Sequence, residues 1–190
     1  YIMAGYTADT ASLYLVKTNA QGNVIWQKLL GAAVTDAYSI KQTLDKGFVI
    51  TGYGSGYGEV NGDVFLIKTD SSGNPIFTKT YGYKGADWGN SICLTSDGGY
   101  VIGGSYSTDS TGLNIDALII KTDSNGDTLW TRTYGGTGFD YGQSIQPTSD
   151  GGYILGGYTS SFGMGDYDAF LIKVNSIGDT VWTKAYGGLN

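Results

Sequence analysis

The sequence contains no histidine, and this absence removes the most common general base at neutral pH and the most common metal ligand. It has a single cysteine, Cys93, so an internal disulfide is excluded. We expect that thiol to pack as a small core residue. There is no Ser-His-Asp set, no Cys-His pair and no glycine-rich phosphate loop leading into a helix. These absences predict a protein without enzymatic activity.

Basic residues and long apolar runs are also scarce. The chain has 11 Lys and Arg against 17 Asp and Glu, a formal charge of −6. Binding to nucleic acid or to an anionic membrane surface requires clustered positive charge, so neither partner is expected. The apolar runs are about five residues long, too short to insert into a membrane. Only 2 Pro accompany 32 Gly and 16 Tyr, a composition typical of an all-β protein with many turns.

A block of about 52 residues occurs four times. Its clearest copy is DALIIKTDSNGDTLWTRTYGG at 116–136, and the equivalent lysines are Lys17, Lys68, Lys121 and Lys173. A fixed period of this length indicates stacked supersecondary units. Each block contains four short strands separated by turns rich in Gly, Asp and Asn. The predicted fold is therefore an all-β β-propeller, or part of one, built from four-stranded antiparallel blades.

The order of strands within a blade follows from their side chains. The third strand is apolar on both faces, with Val64 and Leu66 on one and Phe65 and Ile67 on the other, which predicts burial between stacked sheets. Both prolines favour edge strands, because proline cannot donate to a ladder. The first strand is therefore expected at the inner edge, and the fourth, with its Trp or Phe, at the outer edge.

With the first strand of each blade at the inner edge and the fourth at the outer edge, the single domain divides into one partial and three whole blades. The partial blade is 1–31, and the whole blades are 34–82, 86–135 and 139–188. The partial blade lacks only its first strand, so a closed four-bladed ring is one interpretation. We favour a slice of a larger propeller, of roughly six to eight blades, that continues into further repeats of a longer chain.

The aromatic-rich inner hairpin, the Gly-Gly at 103–104 and 156–157, and the outer Trp130 and Trp182 resemble the strand order of kelch repeats. The amino-acid sequence of the block is similar to that of the β-propeller repeats in large secreted or surface proteins of bacteria and archaea. The resemblance covers the whole chain and implies an extracellular or cell-surface location.

The loops between the second and third strands, and those between blades, differ from copy to copy. Variable loops on a rigid scaffold commonly carry binding residues, so we expect the binding site at their face. The candidates are Tyr57, Glu59, Asp63, Asp87, Trp88, Asp109, Asp116, Asp140, Tyr141, Phe162, Asp166, Tyr167 and Asp168.

Each candidate also has a structural interpretation. An Asp that opens a strand, such as Asp63, Asp116 or Asp168, often holds a backbone turn. The pairs at 87–88 and 140–141 could form turns with packing aromatics, or an acidic aromatic rim that stacks sugars or grips a peptide. The series at 123–127 has the oxygen spacing of a Ca²⁺ loop, but its other copies do not keep it and no Glu follows at the EF-hand spacing. We expect no cofactor, with Ca²⁺ at 123–127 or at 166–168 as the alternative.

The leading functional hypothesis is a non-enzymatic extracellular scaffold for adhesion or assembly that binds protein or glycan through the variable face. The alternatives are a carbohydrate-active propeller that uses acidic rim residues, and a structural repeat without a ligand.

Overall fold

In a computed structural model the chain forms antiparallel strands arranged in four sheets. The structure describes residues 1–7, 12–30, 34–55, 62–82, 85–107 and 114–188. No helix of the length and apolarity needed to cross a membrane occurs among these residues. The first sheet contains β1 (Ile2–Thr7), β2 (Ser12–Thr18) and β3 (Val24–Leu30). The second contains β4 (Val34–Gln42), β5 (Phe48–Ser55), β6 (Asp63–Thr69) and β7 (Pro75–Tyr81). The third contains β8 (Asp87–Leu94), β9 (Tyr100–Ser107), β10 (Ile115–Thr122) and β11 (Thr128–Tyr134). The fourth contains β12 (Asp140–Pro147), β13 (Tyr153–Thr159), β14 (Asp168–Val174) and β15 (Thr180–Tyr186).

Each sheet is a meander whose strands pair in chain order, and the sheets pack face to face. Every residue of β6 is buried. Val64 and Leu66 pack in the core shared with the third sheet, whereas Phe65 and Ile67 pack in the core shared with the first. The prediction that the third strand is buried on both faces is confirmed for this sheet.

The first strands of the sheets lie at the edge where neighbouring sheets converge. β4 packs on β8 and β8 packs on β12. The Ile92 N–H donates to Ser39 Oγ at 3.2 Å, and one sheet further the Ile145 N–H donates to Ser91 Oγ at 3.3 Å. Cys93 is 6% exposed, and its Sγ lies 3.1 Å from the Ile145 carbonyl oxygen. The cysteine is thus a core residue, as expected.

The repeated lysine holds the first hairpin of its own blade. The Lys121 side chain is 4% exposed, and its Nζ donates to Asp97 Oδ2 and to the Thr122 carbonyl, both at 2.8 Å. The hydrogen bonds from Lys121 and then Thr95 lower the pKa of Asp97 to about 2. Lys68 with Asp45 (2.7 Å) and Lys173 with Asp150 (2.9 Å) form the same pair in the neighbouring blades.

Among the described residues the first sheet contains three strands, and none of them forms such a hairpin beside its lysine. Lys17 Nζ instead lies 5.5 Å from the Phe48 ring centroid and 5.9 Å from that of Trp26. The ammonium is then stabilised by ring quadrupoles rather than by a carboxylate. The lysine that marks the repeat in the sequence is therefore a structural anchor in the second, third and fourth sheets.

Candidate functional site

Most of the aspartates predicted at the variable face are buried beneath it. Asp87 and Asp140 are 0% exposed, and Asp63 and Asp168 are 4% exposed. Asp116 is partly buried on β10. An external ligand has little access to these carboxylates, which favours the structural interpretation of each.

Asp140 illustrates how a buried carboxylate of this group accepts hydrogen bonds from the surrounding loops. Its Oδ2 accepts hydrogen bonds from the Gly136 N–H at 2.8 Å and from Ser161 Oγ at 2.6 Å, and its Oδ1 accepts from Thr159 Oγ1. One side chain thus joins the link between the third and fourth sheets to the end of β13. Asp168 Oδ2 similarly accepts from the Met164 N–H at 2.6 Å. These aspartates hold the loops in place.

Two of the junctions between sheets contain a pair of carboxylates. A Cβ placed on Gly135 would lie 2.1 Å from Asp116 Oδ1 and 2.6 Å from Asp140 Oδ2, so both carboxylates converge on that glycine. Asp63 and Asp87 converge in the same way on Gly82. Burial, and then the neighbouring charge of Asp140, raise the pKa of Asp116. Asp116 therefore holds its proton more readily than an isolated Asp would.

The exposed part of the predicted site is aromatic. Four rings of the fourth sheet form one row: Phe139 and Tyr141 have centroids 6.3 Å apart, Tyr141 and Tyr158 4.7 Å, and Tyr158 and Tyr167 5.6 Å. We call these four side chains the aromatic row. Tyr158 is 38% exposed and Tyr167 is 53% exposed. Burial, followed by the nearby Tyr158 and Tyr167, raises the pKa of Tyr141, so the phenol stays protonated at neutral pH.

The local fold explains why these rings meet. Tyr141 and Tyr158 are directly opposite one another in the register of β12 and β13. A bulge follows in β12 between Gly142 and Ser144. β-Bulges bend a strand and change the direction of its side chains. The same bulge occurs in β4 and β8, and near the latter Trp88 stacks on Tyr53 at 5.9 Å and an interplanar angle of 19°.

The row contains two predicted residues, Tyr141 and Tyr167, and two that the sequence analysis missed, Phe139 and Tyr158. The available signal was the tyrosine that ends the second-strand motifs FVITGY and YILGGY. Of the other candidates, Phe162 is 41% exposed and Asp166 is exposed at the same end of the fourth sheet. Tyr57, Glu59 and Asp109 lie outside the described residues.

The proposed Ca²⁺ loop has a local role of its own. Asp123 Oδ1 accepts hydrogen bonds from the N–H groups of Asn125 at 2.8 Å and Asp127 at 2.9 Å, which closes a backbone turn. Within the described ranges, no group of three or more His, Cys, Asp or Glu side chains is arranged to hold a metal ion.

Clefts open between the sheets toward their outer edges. The cleft between the second and third sheets has a volume of about 580 Å³, and a smaller one of about 260 Å³ lies between the third and fourth. The first is lined by Thr80, Tyr81, Gly82, Asp87, Tyr106, Leu118, Ile120, Thr128, Thr131, Arg132 and Thr133. Because similar clefts occur at consecutive junctions, we attribute them to the divergence of the outer strands.

The chain matches no known protein family and no curated protein, so the resemblance to kelch repeats has no support from sequence comparison. Solved structures do match it. One is a crystal structure of an ACO/RPE65 chimera, with a TM-score of 0.50 and 12% identity. The fold is a propeller. The predicted fold class is thereby confirmed, and at this identity the likeness shows the fold alone. The match covers 96% of this chain but 47% of the other, so the chain spans about half the length of that propeller structure.

Proposed function

We propose that this propeller is a non-enzymatic binding scaffold that acts in adhesion or assembly outside the cell. The aromatic row is the observation that carries the proposal. It exposes Tyr158 and Tyr167 beside stacked rings at the end of a sheet, where Asp140 and Asp168 hold the loops in place. A rigid row of rings binds a ligand with little loss of side-chain entropy.

A glycan is the ligand chemistry that the row fits best. Stacked rings offer flat apolar faces to the C–H faces of sugars, while the phenol groups of three tyrosines offer hydrogen bonds at the edges. The formal charge of −6 favours a neutral or positively charged ligand over an acidic one. A peptide segment is the second ligand class that such a surface accepts, and it belongs in the same screen.

A glycan array probed with the wild type and with Tyr158→Ala and Tyr167→Ala tests the proposal. Each ring removed should weaken binding by about 0.5–1.5 kcal/mol, or roughly 2- to 13-fold. Tyr6→Ala is the matched control. Tyr6 is 61% exposed and occupies the equivalent position in the first sheet, where the described residues include no counterpart of Tyr141. Binding that survives both row variants, or that falls equally in the control, would contradict the proposal.

The Asp116–Asp140 pair favours the second candidate, a carbohydrate-active enzyme. A carboxyl group with a raised pKa beside a second carboxylate is the arrangement of an acid–base pair in glycosidases. Burial of Asp140 and its three hydrogen bonds argue against that role. Hydrolysis of a glycan that binds the array, abolished by Asp116→Asn and unaffected by Asp166→Asn, would favour the enzyme over the scaffold.

A further inference from the structure

The carboxylates of Asp116 and Asp140 meet at the junction between the third and fourth sheets. We propose that they share one proton and that its loss loosens the two loops next to the aromatic row, at 136–139 and 160–162. The order of the row then depends on pH. As regulation of a binding site this inference rests on the proposed function, whereas the shared proton itself does not.

The two side chains are close together and differ in their hydrogen bonds. Asp116 Oδ1 and Asp140 Oδ2 lie 2.1 Å and 2.6 Å from a Cβ placed on Gly135, so these oxygens are within about 5 Å of one another, a range at which like charges disfavour ionisation. Asp140 accepts hydrogen bonds from three donors. Asp116 Oδ1 is buried and, within the part of the chain that the structure describes, has no donor. A charge on that oxygen lacks both water and a hydrogen bond, which is costly.

A proton on Asp116 removes this cost. The neutral carboxyl group donates one hydrogen bond, and Asp140 Oδ2, which converges on the same glycine, is an acceptor for it. The pair then carries one negative charge instead of two. Burial, followed by the charge of Asp140, raises the pKa of Asp116, in agreement with this assignment. Two carboxylates that share a site retain a proton between them for the same reason.

The cations on the surrounding strands are bound elsewhere. Lys121 on β10 and Lys173 on β14 pair with aspartates of their own first hairpins, and Arg132 Nη1 on β11 donates to a backbone carbonyl at 3.0 Å. Strands β8, β9, β12 and β13 contain no Lys or Arg. A proton, rather than a cation of these strands, therefore neutralises one carboxylate. The other titratable groups around the pair are acids or phenols, namely Asp87 on β8, Tyr106 on β9, Tyr134 on β11, Asp168 on β14 and Asp166 just before it.

Asp140 connects the proton to the aromatic row through a short chain of hydrogen bonds. Ser161 Oγ donates to Asp140 Oδ2 at 2.6 Å and accepts from the Gly138 N–H at 2.9 Å. The Phe139 N–H donates to Ser160 Oγ at 2.7 Å, and Phe139 is the first ring of the row. When Asp116 ionises, opening of these loops lets water reach both carboxylates and so relieves their repulsion. The position of the Phe139 ring is then less fixed.

An NMR titration of the carboxyl carbons in the 190-residue chain tests the shared proton. Asp116 should titrate above the usual value for Asp of about 3.9. The carboxyl resonance of Asp140 should move in the same step, because interacting carboxylates titrate as a pair. An Asp116 that titrates at or below about 3.9, or whose titration leaves the Asp140 resonance unchanged, would overturn the proposal.

Hydrogen exchange at the Gly136 and Phe139 amides, corrected for the intrinsic effect of pH, measures the loosening. Protection should fall as the pH rises from about 3.9 to the pKa of Asp116, by about tenfold for each pH unit between them, and stay low above it. Asp116→Asn cannot ionise and should keep its protection throughout, whereas Asp166→Asn should behave like the wild type. Wild-type protection that does not change with pH, or an equal loss in Asp116→Asn, contradicts the proposal.

The wild-type titration and exchange decide the question even if Asp116→Asn does not fold. Neither measurement uses a ligand, so a failure here is distinct from a failure of glycan binding.

Discussion

The second Gly of the second-strand motif packs on the inner strand, and its replacement should destabilise the fold strongly. A Cβ on Gly104 would lie 1.8 Å from the carbonyl oxygen of Trp88, which precedes the bulge of β8. The contact is with backbone, so the rearrangement of one side chain cannot relieve it. Separating β8 from β9 would lose about two ladder hydrogen bonds, each worth about 1 kcal/mol, in addition to the strain of overpacking. We expect Gly104→Ala to lower the free energy of unfolding by about 3 kcal/mol.

The first sheet supplies the matched control, because it lacks the strand that causes the clash. Gly5 occupies the equivalent position and has nothing within 4 Å of an added Cβ. Gly5→Ala should therefore be neutral, or stabilising by about 0.5–1 kcal/mol, since it restricts the unfolded chain without adding strain.

Urea unfolding followed by tryptophan fluorescence measures both effects. With a slope of about 2 kcal/mol/M, a loss of about 3 kcal/mol lowers the midpoint for Gly104→Ala by about 1.5 M at unchanged slope. The reasoning is refuted if Gly104→Ala unfolds within about 0.3 M of the wild type, or if Gly5→Ala loses as much stability as Gly104→Ala.

Two further predictions concern carboxylates and pH. The pKa of Asp97 is lowered to about 2 from 3.8, so its contribution is present above pH 4 and is lost as the pH falls through about 2. Because this side chain is 57% exposed, screening reduces the contribution, and in urea unfolding Asp97→Asn should cost about 1 kcal/mol at pH 7 and progressively less as the pH falls from 4 to below 2. The pKa of Asp116 is raised, so its charged form is disfavoured in the fold. Asp116→Asn should therefore raise the unfolding midpoint at pH 7, with a gain that disappears on acidification, while the exposed Asp166→Asn changes nothing; a lower midpoint at pH 7 would contradict this.

The repeat predicted the fold because the repeated residues make their contacts within a single blade. A lysine equivalent to Lys121 recurs because its ammonium group pairs with the Asp of the first hairpin. The second glycine of the second-strand motif recurs because the carbonyl that precedes the bulge leaves no room for a Cβ. A single sequence displays such requirements directly, as a fixed spacing. What it did not display was the role of the lysine, although Lys68, Lys121 and Lys173 each follow their Asp by 23 or 24 residues.

The candidate site was harder to predict, because it depends on register and on junctions between blades. The aspartates that open strands lie at the predicted end of the sheets, but most are buried, and Asp140 and Asp168 accept hydrogen bonds from the neighbouring loops. Whether Tyr158 stacks on Tyr141 depends on a pairing that places them opposite one another. A one-residue slip would put them on different faces of the sheet.

The positions that form the aromatic row differ among blades in a way that bears on function. Tyr141 is equivalent to Trp88 and to Asp36, while Tyr158 is equivalent to Tyr53 and to Ser105. The lysine and the second glycine of the second-strand motif are kept in the same blades, so the variation is not general decay of the repeat. Blades that shared one binding site would each need the same rings, whereas a single site on one sector needs them once. The full row is present only in the fourth sheet among the described residues, and this favours one binding site per chain.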